Sequence, residues 1–383
     1  MDKPTVQDIF HRFYPAYLDQ YSPSPVQANV EHIIMNCKTG AYGAIVCVCE
    51  DCGFVQIHYN SCRNRCCPMC QAVPKEMWMD ARREDVLDAP YFHLVFTVPD
   101  ILNPVIYSNQ RLLYDALYHA ASSTISELTA DPKHLGAKVG YICILHTWGS
   151  EMNFHPHIHT ILLGGGLASN NQWKDNGENF FLPIRVISKM FRGKYLEELK
   201  RLWEEDKLVF HGTAEKFRNH YTFKELLDSC YGMDWIPHCK KTFNGAQTVI
   251  KYLGKYTHRI AVSNHRIVRM DDDTVTFLVK DYRNEGQWKE LTISGVEFVR
   301  RFLMHVPPRR FVRIRHYGLL CSRTKSQKLT LCRNLLGCKK YLSKLRDMEM
   351  PEILEHLYGI KVCVCKACGG HLGKPQMRMP LRC

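Results

Sequence analysis

His155-Pro156-His157-Ile158-His159-Thr160-Ile161-Leu162-Leu163 decides how the rest of the chain is read. In an extended strand alternate side chains share a face, so His157 and His159 point one way and Ile158 points into a core. Two imidazoles on a rigid strand hold a divalent cation with positions left for a phosphate oxygen. His155 lies on the same side, although Pro156 can bend the chain between them. With 19 histidines in the chain, such a pair also fits histidines with no chemical task. The strand is expected to end at Gly164-Gly165-Gly166.

Working outward, Tyr141 to Trp148 reads as a preceding strand, joined to the first by a tight segment near Gly149. Tyr91 to Val98 is an apolar β-type run stopped by Pro99. Helical periodicity covers 107–128, most of 185–230 and 245–257, and strand pieces follow at 260–269, 274–280 and 289–293. Strands separated by helices predict an α+β domain with a partly antiparallel sheet. Residues 1–36 and 74–89 read as helical around a Cys-rich stretch. No apolar run approaches the roughly 20 residues of a bilayer span, and Met1 to Thr5 lack a signal-peptide pattern. A cytosolic protein is expected, with no membrane partner.

Eighteen cysteines in such a chain should be thiols or metal ligands. Cys49-x2-Cys52 and Cys67-x2-Cys70 form two knuckles with the spacing of a four-thiolate zinc site, which has no open position and is therefore structural. Cys62 and Cys66 could join or swap in, while Cys37 and Cys47 read as small buried hydrophobes. Cys365 and Cys368 form a lone third knuckle near Cys363, His371 and Cys383, a zinc candidate with unassigned partners.

The net charge is +13, which favours a polyanionic partner. From Arg300 to Arg346 a count gives fourteen Lys/Arg and no Asp/Glu, interleaved with Phe302, Phe311, Tyr317 and Tyr341. Cations with aromatic faces are the footprint of single-strand nucleic-acid binding, with Arg309, Arg310, Arg313 and Arg315 as candidates. The same count fits a solvated basic face.

Tyr252 and Tyr256 stand four apart in the helical stretch, so both phenols reach one face, flanked by Lys251, Lys255, His258 and Arg259. They read either as half-buried core aromatics or as nucleophiles. A tyrosine attacking a phosphodiester forms a 5′-phosphotyrosine and frees a 3′-OH that can later reverse the step. A histidine-held cation would spread the charge developing on the phosphate.

Four segments occur in order: Ser61-Cys62-Arg63-Asn64-Arg65-Cys66-Cys67-Pro68-Met69-Cys70-Gln71, His155 to His159, Tyr252 to Ser263, and Phe311-Val312-Arg313-Ile314-Arg315-His316-Tyr317-Gly318. Together, over roughly residues 30 to 370, they resemble the insertion sequence 91 family of rolling-circle transposases. The resemblance implies an HUH endonuclease domain with a ferredoxin-like antiparallel sheet. It implies His157 and His159 as ligands of Mg2+ or Mn2+, Tyr252 and Tyr256 as nucleophiles, and Cys49, Cys52, Cys67 and Cys70 as ligands of Zn2+. Cys66 stands where the pattern has His. Glu151, His155 and Gln247 are the candidates for a third catalytic-metal ligand. The implied substrate is single-stranded DNA at element ends and target, in the bacterial cytosol or nucleoid. The expected division is a helical and zinc-binding region at 1–88, the nuclease at 89–295, and a basic DNA-binding region with a Cys-rich end at 296–383. Two rival readings are a replication initiator or relaxase with the same chemistry, and a non-enzymatic zinc-containing nucleic-acid-binding protein.

Overall fold

The computed structural model describes residues 3–175, 182–235, 237–243, 249, 254, 261–281, 284–374 and 376–378. Its central sheet is antiparallel, in the order β11 (Ile314–Gly318), β4 (Lys138–Trp148), β5 (Phe154–Leu167), β3 (Tyr91–Thr97) and β7 (His238–Phe243), with β6 (Trp173–Asp175) paired to β5. The chain is α+β, as expected. One sheet face carries Phe92, Leu94, Phe96, Cys143, Leu145, Ile158 and Leu162, buried under α5 (Gln110–Ala130), α6 (Ile184–Glu204) and α7 (His220–Gly232). The opposite face carries Tyr91, Ile142, Ile144, Ile161 and Leu163, packed with Leu87 and Val249. Apolar residues on both faces explain why β3, β4 and β5 read as continuous apolar runs rather than alternating ones.

The glycine run does not end β5, which continues to Leu167. A Cβ at Gly164 would press on the Pro90 carbonyl oxygen, and one at Gly166 on that of Lys138. These glycines admit neighbouring backbone inside the strand. Of the helix expected over 245–257 only Val249 and Gly254 are described, and both have helical backbone.

At the N-terminus, α1 (Val6–Leu18) starts in a capping box between Thr5 and Asp8, and α2 (Pro25–Met35) in one between Ser24 and Gln27. Both pack with a second sheet, β8 (Ile267–Met270), β9 (Thr274–Asp281) and β10 (Gln287–Ser294), and with α8 (Gly295–Met304). A third sheet orders β12 (Gln376–Arg378), β1 (Ala44–Val48) and β2 (Val55–Tyr59), and α3 (Ala72–Arg83) leads from it to the central sheet.

Residues 296–383, expected as one region, are shared among these bodies. β11 is an edge of the central sheet, α9 (Lys325–Leu336) packs on its second face, and β12 joins the N-terminal hairpin. Between them α3 anchors the passing chain. The Asp80 carboxylate accepts from Tyr341 Oη at 2.6 Å, Ser343 Oγ at 2.6 Å and the Leu345 amide at 2.9 Å.

Candidate functional site

Strand register builds the site. His157 is paired with Thr97 of β3 on one side and with His146 of β4 on the other. His159, two residues on, shares their face, and ring nitrogens of His146, His157 and His159 lie within 4.8 Å of one another. All three are buried or nearly so. The Nε2 atoms of His157 and His159 are 3.1 Å apart.

The tautomer of His157 follows from its partner. Its Nδ1 is 2.7 Å from the His155 carbonyl oxygen, which can only accept, so Nδ1 carries the proton and Nε2 keeps its lone pair. His159 Nδ1 is bonded to His93 Nε2 at 2.9 Å, which leaves its Nε2 facing that of His157. Nitrogens converging this closely suit a shared cation, and the outer bonds to His155 and His93 hold the rings in ligand orientation. Trp148 stacks on His146 with ring centroids 4.6 Å apart at 18°, which fixes the third imidazole. The three imidazoles thus form a donor set that fits a divalent metal ion.

Among the described residues, the third nitrogen of the cluster comes from His146. The His155 ring lies beside that of His157, with centroids 5.2 Å apart, but its Nδ1 is 3.3 Å from the Asp100 carboxylate and it is not part of the converging set. Glu151 is exposed in the β4–β5 turn, where its carbonyl accepts from Arg301 at 2.9 Å. Gln247 lies outside the described residues, as do Tyr252, Tyr256, Lys251, Lys255, His258 and Arg259. Two neighbours of the tyrosines are described. Val249 is buried on the sheet face that carries the histidines, and Gly254 lies against Met79 and Lys75 of α3.

Residues 140–328 match the family described as "Putative transposase", and residues 9–98 match the transposase zinc-binding domain of insertion sequence 91 elements. The chain is 40% identical to "Putative transposase y4qJ" of Sinorhizobium fredii over 95% of its length and 93% of that protein. It is 31% identical to the transposase for insertion sequence element IS801 of Pseudomonas savastanoi pv. phaseolicola, over 77% of this chain and 70% of that one. The chain belongs to the insertion sequence 91 family of transposases. Among solved structures, the conjugative relaxase TrwC in complex with OriT DNA is similar over 67% of the transposase and 99% of its own chain, at 12% identity and a TM-score of 0.26.

The zinc-binding domain of the transposase departs from the expected ligand set. Cys49, Cys52, Cys67 and Cys70 do not meet at one point; Cys67 and Cys70 converge with Cys37 and Cys62, while Cys49 and Cys52 converge with Cys365 and Cys368. The β1–β2 hairpin separates them. Cys49 and Cys52 sit in its turn, whereas Cys37 and Cys62 flank its open end, five paired residues or roughly 14 Å away. Cys37, at the end of α2, is therefore part of a thiol cluster and not merely a core residue, with Sγ 3.5 Å from that of Cys70. Cys66 points the other way, into a core with Trp148 and Phe302.

Part of the basic stretch is paired inside the transposase. Arg315 forms an ion pair with Asp115 and lies 4.0 Å above the Tyr118 ring. Arg313 lies 5.8 Å from the Trp148 ring, and burial pulls its guanidinium below the usual range. Arg300 and Arg301 pair with Glu297, Lys325 with Asp85, and Arg346 with Glu84. Arg309 and Arg310 are exposed. No helix among the described residues is long and apolar enough to cross a membrane.

Proposed function

We propose that this transposase nicks single-stranded DNA at the ends of its element and transfers the strand through a covalent 5′-phosphotyrosine. The convergence of His146, His157 and His159 on the sheet face that also buries Val249, three residues before Tyr252, carries this reading. A phenolate oxygen of Tyr252 or Tyr256 attacks phosphorus and forms the O–P bond. The bond from phosphorus to the 3′ oxygen breaks, and that oxygen leaves and takes a proton. The energy of the phosphodiester is kept in the tyrosyl ester, so a 3′-OH reverses the step without ATP.

His146, His157 and His159 would hold the ion, with His93 and His155 fixing the rings. When bound, a divalent cation withdraws the charge developing on the non-bridging oxygens. Three nitrogen donors favour Mn2+ over Mg2+, which prefers oxygen ligands and retained water. Arg309 and Arg310, with Lys251, Lys255, His258 and Arg259, supply phosphate contacts. Family membership favours a transposase over a replication initiator or relaxase with the same chemistry, and the site of action is the bacterial cytosol or nucleoid. The nuclease core is proposed to lie within 89–295 together with β11, completed by the zinc-binding residues of 1–88.

The test is a nicking assay on labelled single-stranded DNA carrying an element end, with Mn2+ or Mg2+. Expected are a new 3′-OH end and a protein–DNA adduct that survives denaturation. Absence of both with either metal would sink the reading.

A further inference from the structure

Cys49-Glu50-Asp51-Cys52-Gly53 and Cys365-Lys366-Ala367-Cys368-Gly369 stand at opposite ends of the chain and fold alike. In each, the glycine amide donates to the carbonyl of the first cysteine, at 3.0 Å in both turns. The amide of that cysteine donates to the residue after the glycine, at 2.9 Å to Phe54 and 2.8 Å to Gly370. Gly53 has φ +71° and Gly369 φ +77°, and a Cβ on either would meet nothing within 4 Å. The glycines are there for the left-handed backbone that closes each turn, not for space.

The two turns face each other. Cys49 Sγ is 3.5 Å from Cys368 Sγ, and Cys52 Sγ is 3.8 Å from Cys365 Sγ. A disulfide requires about 2.05 Å. Four thiolates about 2.3 Å from one ion, at tetrahedral corners, lie about 3.8 Å apart. The amides of Ala367 and Gly370 point at the sulfurs of Cys365 and Cys368, both at 3.4 Å, which suits thiolates. The buried cluster around this site is small, comprising Cys47, Cys49, Cys365 and Leu372. So small a core does not hold a chain end by burial alone.

We propose that Cys49, Cys52, Cys365 and Cys368 bind a second structural zinc ion, which clasps the C-terminal end of the chain onto the N-terminal hairpin. Half of this ligand set lies beyond the residues 9–98 that match the zinc-binding domain. The clasp brings β12 into register with β1 and pairs Leu372 with Cys49. It is independent of the first cluster and of the nicking reaction.

Full-length protein loaded with Co2+ in place of zinc reports thiolate sites through sulfur-to-cobalt charge-transfer absorption, to which the histidine cluster does not contribute. Two tetrahedral thiolate sites per chain are expected. Cys365→Ser with Cys368→Ser should halve the band, as should Cys67→Ser with Cys70→Ser. Only the first pair should raise amide hydrogen exchange in 376–378. One thiolate site in the wild-type protein, or an undiminished band in the Cys365/Cys368 variant, would overturn the clasp. If that variant fails to fold, the wild-type cobalt stoichiometry still decides.

Discussion

His146 and His157 are directly opposed on adjacent antiparallel strands, and this pairing brings the third imidazole to the histidine pair of β5. His146→Ala should therefore abolish metal-dependent nicking as completely as His157→Ala or His159→Ala. His155→Ala should lose much less, because the backbone carbonyl that orients His157 survives the substitution. Single-strand affinity should stay near wild type in all four, since it comes mainly from phosphate contacts. Normal cleavage by His146→Ala in Mn2+ would remove it from the ligand set.

His93 touches His159 rather than the reacting atoms, with 2.9 Å between the bonded nitrogens. Loss of such an outer partner typically weakens metal affinity by about 10- to 100-fold. His93→Ala is expected to shift the Mn2+ titration followed by electron paramagnetic resonance within that range. Saturating Mn2+ should restore most of its nicking rate. An unchanged titration would show that the contact does not orient His159.

Tyr252→Phe and Tyr256→Phe each remove one phenolic oxygen and keep the ring. The double variant should form no covalent adduct with single-stranded DNA. Each single variant should cleave and yet lose most complete transposition, if a two-step transfer needs two attacking groups. One dead and one near-normal single variant would indicate a one-tyrosine mechanism. Mass-spectrometric mapping of the wild-type adduct identifies the phenol used.

Acid should destabilise the fold through buried histidines. Burial pushes His305 down to about 4, as a neutral ring bonded to the Met152 carbonyl at 2.9 Å and to Thr147 Oγ1 at 3.2 Å. His316 is also lowered to about 4, first by burial and then by Arg82. The unfolded chain takes up these protons near pH 6.5, so stability present above that pH is lost as pH falls towards 4. For His305 alone the full loss is about 3 kcal/mol, on the order of 1.4 kcal/mol per pH unit of separation. The Tm of His305→Gln should start lower at pH 7 and fall less steeply to pH 5 than that of wild type. Parallel Tm curves would exclude His305 as a source of the acid sensitivity.

Arg309 and Arg310 should behave differently from Arg315. Arg309→Gln with Arg310→Gln should weaken single-strand binding and flatten its salt dependence by about 0.7 per lost phosphate contact. Arg315→Gln leaves Asp115 without its ion pair and Tyr118 without its cation, so it should lower Tm more than it changes the salt slope. Anisotropy titrations over a salt series and thermal melts distinguish the two. Equal salt slopes for both variants would contradict this division.

Local periodicities are readable in the sequence itself. The two-residue repeat of a strand placed His157 and His159 on one face, and the Cys-x-x-Cys turns announced thiolate sites, because both depend only on neighbours in the chain. The ordered motifs pointed to the family for the same reason. Which distant segments meet was decided by packing. The hairpin register delivered His146, and the length of β1 and β2 kept Cys49 and Cys52 from Cys67 and Cys70. Asp115, Glu297, Asp85 and Glu84 pair with five cations of a stretch that looks uniformly free in sequence, and three of these acids come from in and beside α3 and α5. Sequence carries the identity and local direction of each side chain; strand register and the docking of helices on the sheet decide which of them come within bonding distance.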